Sequence, residues 1–446
     1  QMQEFRSLMA INQGEEWEPY AGLGQPASQV KDFLDSVPFN AKGRRRFEAP
    51  RIPVGDPIVL EAKGAISTQN GFGKILDDIA KAGGPLADRI VTTSPDVTVS
   101  TNLGPWVNRR GLFSMASKDD VFKERGLMSP QKWEMSPKGQ HIELGIAEMN
   151  LFLTLGAAGL SHSLFGERLI PIGTLYDPFI MRGLDALNYA CYQDARFIVV
   201  ATPSGLTLAP EGGAHQSIST PLIGLAQDGL ASFEPAYVDE LAVILHWAFD
   251  YIQRNGTADD GEGWSRDNKG GSVYLRLSTR PIEQINRQLD HKQRQDIVNG
   301  GYWLRRPNPS TALCIIAMGT VLPEAIEAAA YLGQERSGIG VLAITSADRL
   351  SAGWHGAQRA REQGDANARS HIETLLDELP RDAGLVTVCD AHPETLSWLG
   401  AVKGHRARAL GPEHFGQSGS IPELFAHYGL DVAAIVRAGR AMRQGL

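Results

Sequence analysis

From Asn70 onward, apolar runs of four to seven residues alternate with amphipathic segments, a texture that predicts strand–helix–strand units around a parallel sheet. Strands are expected at 89–93 (RIVTT), 168–172 (RLIPI), 196–201 (RFIVVA) and 272–277 (SVYLRL), with helices at 73–82, 143–160, 181–193 and 239–253. In the last of these helices Leu241, Ile244, Leu245, Ala248 and Ile252 fall on one face. A second alternating unit follows, with strands at 312–319, 340–346 and 384–390, helices at 322–335, 368–379 and 393–402, and a terminal helix pair. The pattern therefore predicts an α/β protein of two domains, each a mostly parallel sheet flanked by helices. Residues 1–60 lack periodicity and read as an extended arm or linker with one short helix over VKDFLDSV. Residues 61–280 form the first domain, 281–310 a connection and 311–446 the second domain. The polar stretches 254–271 and 346–370 read as surface loops.

Composition narrows the classes. The 446 residues are 42% hydrophobic and carry 43 Lys+Arg against 51 Asp+Glu, a net charge of −8. Such an acidic chain is not expected to bind nucleic acid, and the short basic run Lys42-Gly43-Arg44-Arg45-Arg46 does not reverse that balance. No stretch approaches ~18 consecutive apolar residues, so no membrane span is expected. No basic segment followed by an apolar run opens the chain, so a secretory leader is not expected either. Cys191, Cys314 and Cys389 lie too far apart in sequence to suggest a disulfide framework or a metal cluster, which points to a reducing, cytoplasmic setting. The 48 glycines sit among strand and helix signals, as the tight turns of an α/β fold require.

One residue conflicts with its own helix. Leu144, Glu148, Leu151 and Leu155 follow at spacings of 4, 3 and 4, which puts a carboxylate in the apolar stripe. A buried carboxylate without a partner is costly and tends to hold its proton. Periodicity alone leaves two readings open: Glu148 pairs with an arginine or caps a backbone group, or it exchanges a proton with a ligand. Tyr176 and Phe179, in TLYDPFIMR, and His215, in APEGGAHQS, follow two strands at their carboxyl ends, where open α/β sheets bind ligands. Core packing for the aromatics and a solvated loop for the histidine are the competing readings.

The blocks GQHIELGIAEMN, TLYDPFIMRGLDALNYACYQDARFIVVATPSGLTLAPEGGAHQS, FEPAYVDELAVILHWAF and ALGPEHFGQSGSIPEL, in this order, resemble the homodimeric bacterial pyruvate dehydrogenase decarboxylating component. That family is thiamine diphosphate-dependent and belongs to the transketolase superfamily. The resemblance runs along the whole chain but reaches only the C-terminal half of that long enzyme. It implies a pyrimidine-binding domain at 61–280 and a transketolase C-terminal-like domain at 311–446. It further implies that Glu148 is the cofactor-activating glutamate and that Tyr176 and Phe179 hold the aminopyrimidine. By the same resemblance His215 is a catalytic histidine, and Glu211 and Asp96 line the cofactor. Thiamine catalysis needs a carboxyl that keeps a proton at the pyrimidine nitrogen, and an acid in an apolar pocket is suited to that. The reaction implied is decarboxylation of a 2-oxo acid, pyruvate by default, with acyl transfer to a lipoyl acceptor.

The chain also departs from that pattern. Ser94 and Pro95 stand where the family carries an acidic pair, which makes the stretch TTSPDVTVSTN look more like transketolase. The residues after His215 are Gln216-Ser217-Ile218-Ser219, without the family's further histidines. No Gly-Asp-Gly opens a Mg²⁺ and diphosphate loop; Gly55-Asp56-Pro57 and Gly364-Asp365-Ala366 lie in the wrong contexts. The Mg²⁺ ligands are therefore expected on a partner subunit or in a missing N-terminal half, which the opening Gln1 permits, in a dimer or heterotetramer. A lipoyl acyltransferase component is the expected acyl acceptor, with the two polar loops as docking candidates. Ketol transfer on sugar phosphates, or a non-catalytic subunit that keeps the fold, are the alternatives.

Overall fold

A computed structural model describes residues 1–37, 40, 47–60, 63–119, 124–128, 132–256, 266–335 and 338–444. The basic run at 42–46 and the centre of the polar stretch 254–271 lie outside the described residues. The chain forms two compact units, one of Gln1–Arg51 with Leu160–Leu169, the other of Ile52–Gly159 with Ile170–Leu446.

Among the described residues of 1–51 two helices form where one was expected, Met2–Leu8 and Ala27–Ser36. Neither buries a residue. The first has Glu4 in its first turn and Arg6 in its last, charges that complement the helix dipole, and its apolar residues Met2, Phe5 and Leu8 stay exposed. Arg168 ties this unit together by donating to the Pro50 and Ala49 carbonyls, each at 3.2 Å.

The strands of the larger unit are, in chain order, β1 (Ala65–Ile66), β2 (Ile90–Ser94), β3 (Leu112–Phe113), β4 (Met135–Ser136), β5 (His141–Glu143), β6 (Ile170–Leu175), β7 (Ile198–Ala201), β8 (Leu230–Phe233), β9 (Ser272–Arg276), β10 (Ile282–Glu283), β11 (Gly301–Arg305), β12 (Leu313–Met318), β13 (Ile339–Ile344), β14 (Gly384–Cys389) and β15 (Ala407–Leu410). Eight of them build one parallel sheet in the order β4-β3-β5-β2-β6-β7-β9-β8. The order reverses at β2, with β3 to β5 built out on one side and β6 to β9 on the other, and that is where such sheets open a crevice. A second sheet, β11-β13-β12-β14-β15, is parallel except for β11. Strands β6, β7, β9, β12, β13 and β14 are buried throughout, which explains their unbroken apolar runs.

The helix over 143–160 is shorter than its pattern suggests and spans Glu148–Gly159. Gly145 sits at φ +66°, and the Leu144 N–H donates to the Ser94 carbonyl, so the chain leaves β5 before it can coil. Glu148, Leu151 and Leu155 nevertheless share the buried face. Gly173 of β6 lets that face come close, since a Cβ there would stand 2.6 Å from Leu155 Cδ1 and 3.1 Å from Leu151 Cδ1.

Residues 281–310 hold the helix His291–Val298 and the antiparallel strand β11. The stretch 346–370 is not a loop: Ala347–Glu362 is a helix, capped by Ser346 Oγ, which accepts from the Arg349 N–H at 3.0 Å. Its buried residues are three alanines (Ala347, Ala352 and Ala357), Leu350 and the charged Asp348 and Arg349, too weak an apolar signal to stand out among its polar neighbours. Among the described residues no helix is long and apolar enough to cross a membrane.

Candidate active site

The expected site residues follow strand ends of the first sheet. Asp96 lies two residues beyond β2 and Glu148 opens the helix after β5. Tyr176 directly follows β6, and the 3-10 segments Gly205–Glu211 and Gly213–His215 follow β7. The structure brings four of them together. Tyr176 and Phe179 are nearly parallel, at 8° with ring centroids 6.0 Å apart. His215 stands edge-on to both, 5.5 Å from Phe179 and 6.4 Å from Tyr176. Its Nδ1 is buried with no hydrogen-bond partner among the described residues, so the ring has one nitrogen unused by the fold.

Glu148 is only 6% exposed and is joined to this group by a residue that the sequence pattern did not reveal. Arg182 Nη1 donates to Glu148 Oε1 at 2.7 Å, while the same guanidinium lies over the Phe179 ring at 3.9 Å. The carboxylate thus has an arginine partner, as one of the two readings expected, and that guanidinium lies over Phe179. Arg182 is about half exposed. A signal existed, since the arginine follows Phe179 by three residues on the same short turn, but spacing alone does not say that it turns toward Glu148.

Asp96 and Glu211 are exposed. Among the described residues neither hydrogen-bonds to Glu148, Tyr176, Phe179 or His215. Asp96 has φ +63°, and its N–H donates to Glu143 Oε1 at 2.7 Å. Glu143 also accepts from Thr98 Oγ1 at 2.6 Å, and buried His141 lies between Thr92 and Thr98, with 2.9 Å to each hydroxyl. Although partial burial works against ionisation, His141 and these donors hold the Glu143 carboxyl down at about 2. This network shapes the turn that carries Asp96.

Residues 60–258 match the family model described as the pyruvate dehydrogenase E1 component middle domain, and residues 300–431 match the transketolase-like TK C-terminal domain. The chain joins a pyruvate dehydrogenase E1 middle domain to a transketolase-like C-terminal domain. It is 26% identical to the pyruvate dehydrogenase E1 component of Mycolicibacterium smegmatis, over 94% of this chain and 45% of that protein. To the Escherichia coli K12 protein of the same name it is 25% identical, over 88% of this chain and 43% of that one. The chain thus spans less than half the length of these relatives. Among solved structures it resembles transketolase from Leishmania mexicana, with a TM-score of 0.62 and 19% identity over 87% of this chain and 47% of that one. It also resembles a chain titled "Split gene transketolase, inactive beta4 tetramer", with a TM-score of 0.54 and 18% identity over 85% of this chain and 99% of that chain. At these identities the likeness shows a shared α/β fold.

A second set of charges lies where strand ends of the first sheet meet a strand end of the second. Asp177, Glu234, Arg276 and Asp390 come from the carboxyl ends of β6, β8, β9 and β14, and all four are buried. Arg276 Nε donates to Asp177 Oδ2 at 2.9 Å, and its Nη2 donates to the Asp390 carbonyl at 3.0 Å. Arg276 Nη1 and Glu234 Oε2 are 2.9 Å apart, yet neither atom makes a well-directed hydrogen bond, so their attraction is mainly that of opposite charges. Asp390 also accepts from the Leu206 N–H with both oxygens, at 2.9 and 3.0 Å, and so holds the segment that leads to Glu211 and His215. Gly205, at φ +62°, is required there, because a Cβ would stand 2.2 Å from Asp390 Oδ2.

One guanidinium faces three carboxylates in this cluster. Burial, reinforced by Asp390 and Asp177 and only partly offset by Arg276, pushes the Glu234 carboxyl up to about 7. Burial also raises Asp390. A carboxyl raised above its ordinary 4.5 stabilises the fold fully below that value, and its contribution is lost as pH rises through about 7. Urea unfolding should therefore show lower stability at pH 8 than at pH 5.5, by about 2 kcal/mol from this group. Glu234→Gln should flatten that slope. An unchanged slope in the variant would show that Glu234 does not carry the proton.

Proposed function

We propose that this chain supplies the pyrimidine half of a thiamine diphosphate site and takes part in decarboxylating a 2-oxo acid, with pyruvate as the default substrate. The observation that carries this reading is the group of Glu148, Tyr176, Phe179 and His215 at the strand ends of an E1 middle domain. On this reading residues 61–280 are the pyrimidine-binding domain and 311–446 the transketolase C-terminal-like domain.

The side chains suit that cofactor's ring half. A buried carboxyl, a pair of parallel aromatic rings and a histidine nitrogen with no partner among the described residues are a donor set for a polar heteroaromatic ring. When bound, thiamine diphosphate supplies a carbon nucleophile that stores the electron pair left by CO₂. Glu148 would hydrogen-bond the pyrimidine nitrogen, and Tyr176 and Phe179 would hold the ring by packing against it. His215 hydrogen-bonds the substrate oxygen. Asp96 and Glu211 sit at the rim as further cofactor contacts.

Among the described residues, no group of three or more His, Cys, Asp or Glu side chains is placed to hold a metal ion. The diphosphate and Mg²⁺ are assigned to a partner subunit or an N-terminal half, giving a dimer or heterotetramer. The chain's share of its relatives' length supports this, as does an exposed apolar face beside Glu148. Ile146, Met149 and Leu153 lie there with Met181, Tyr189 and Tyr192, all at least 40% exposed. A lipoyl acyltransferase as acceptor and a cytoplasmic location complete the proposal; the three free cysteines, all buried, are compatible with a reducing compartment.

Calorimetry with thiamine diphosphate and Mg²⁺ on this chain alone should give little or no heat of binding. Micromolar affinity without a partner would overturn the split-site reading.

A further inference from the structure

Asp177 lies between Tyr176 and Phe179, yet it has no place in the reading of the site given above. Its side chain points away from the ring pair into the interior and is fully buried. There the carboxylate accepts four hydrogen bonds. Ser217 Oγ and Thr220 Oγ1 (2.6 Å) come from the segment just beyond His215, and the Tyr274 hydroxyl (2.5 Å) and Arg276 Nε (2.9 Å) come from β9. Ser217 is tied in twice more, since its Oγ accepts from the Gly205 N–H at 3.0 Å and its carbonyl accepts from Arg276 Nη2 at 3.1 Å. On its other side the His215 segment rests on the C-terminal domain. Gln216 Nε2 donates to the Gln417 carbonyl at 2.8 Å, and Gln216 Oε1 accepts from the Gly416 N–H at 3.1 Å.

We propose that Asp177 is a positioning residue: its carboxylate fastens the turn that bears Tyr176 and Phe179 to the segment that bears His215, and so sets the angle and distance between the imidazole and the two rings. The physical basis is its saturation. A carboxylate can accept about four hydrogen bonds, and this one accepts four, three at Oδ2 and one at Oδ1, from donors that belong to two other parts of the chain. Such a hub is rigid, because moving either segment strands a buried charge. A hydroxyl or an amide at position 177 cannot reproduce it, since neither accepts from four donors while offsetting the Arg276 charge. Two neighbouring residues thus have opposite tasks: Tyr176 faces the site, and Asp177 fixes where that face is. The consequence for turnover rests on the function proposed above; the geometric claim does not.

The test uses the full chain with its histidines ¹³C-labelled at Cε1. The His215 signal, assigned by its loss in His215→Gln, is sensitive to the ring currents of Tyr176 and Phe179. In Asp177→Asn that signal should move or split, while those of His371 and His405, which bond the Gly301 and Ala383 carbonyls in the second sheet's domain, stay in place. Ser217→Ala removes one of the four bonds without leaving a charge unpaired, so it should fold and shift His215 in the same direction by less. An unmoved His215 signal in a folded Asp177→Asn chain overturns the proposal. So does a shift of all three histidines together, which would indicate general loosening. Should Asp177→Asn fail to fold, Ser217→Ala decides by the same criterion. In the assembled enzyme Ser217→Ala should lower kcat about tenfold with little change in KM, as displacement of a reacting group does. Failure of the cofactor reading would appear separately, as decarboxylation indifferent to Glu148→Gln while the His215 shift persists.

Discussion

Glu148→Gln should lower pyruvate decarboxylation by about 10²- to 10⁴-fold, the range that a positioned proton donor or acceptor contributes. The measurement is CO₂ release with a dye acceptor, using this chain together with the proposed diphosphate-binding partner, Mg²⁺ and thiamine diphosphate. Glutamine preserves the shape and can still accept from Arg182, but it cannot pass a proton. Little stability should be lost, since the Glu148–Arg182 pair has one half-exposed member and pairs of that kind contribute no more than ~1 kcal/mol. Rate and stability therefore separate: a fall in activity with an unshifted melting temperature identifies a functional carboxyl. Unchanged decarboxylation would remove Glu148 from the mechanism.

Arg276→Met should produce the largest loss of stability. The guanidinium is 2% exposed and is the counter-charge for Asp177, and it faces Glu234 and Asp390 as well. Removing one member of a buried ion pair costs about 3–5 kcal/mol, because the remaining charge keeps its desolvation penalty. For domains of this size that corresponds to a fall of about 10 °C in Tm by calorimetry. The loss should be smaller at pH 5.5 than at pH 8, because Glu234 and Asp390, already raised by burial, take up protons at the lower pH. The sign follows from linkage: without Arg276 the carboxyls rise further, so their protonated forms are what the fold tolerates. A melting temperature within about 2 °C of the parent at pH 8 would contradict the assignment of Arg276 as the counter-charge of this buried cluster.

The two variants probe features of different legibility. Glu148 stood out locally, because a carboxylate in a stripe with Leu151 and Leu155 violates the rule that one helix face is apolar. The charge cluster left a fainter trace. Each member ends or closely follows a buried strand, as in SVYLR, LASFE, GLVTVCD and IPIGTLYD. Taken one at a time, a charge at a strand end reads as the start of a loop. Only when four strand ends come together does it become a buried network. Arg182 behaved alike: an arginine on a turn is unremarkable until its fork reaches a carboxylate 34 positions away.

The sequence by itself determined the alternation of strands and helices and the two-sheet α/β class. Those properties depend on local burial, and local burial is written into the spacing of apolar side chains. It did not determine that 347–362 is helical, because alanines give a buried face too little contrast. Nor did it determine which charges meet. Asp177 and Arg276 are 99 residues apart, and Leu206 and Asp390 are 184 apart. Their pairing follows from the strand order, which is set by how the crossovers pack and not by any pattern within one segment. The tertiary structure decided three things: Glu148 has Arg182 as its partner, one His215 ring nitrogen has no hydrogen-bond partner among the described residues, and Asp177 accepts from Ser217 and Thr220. Each depends on donors and acceptors that only the folded chain brings within hydrogen-bonding distance.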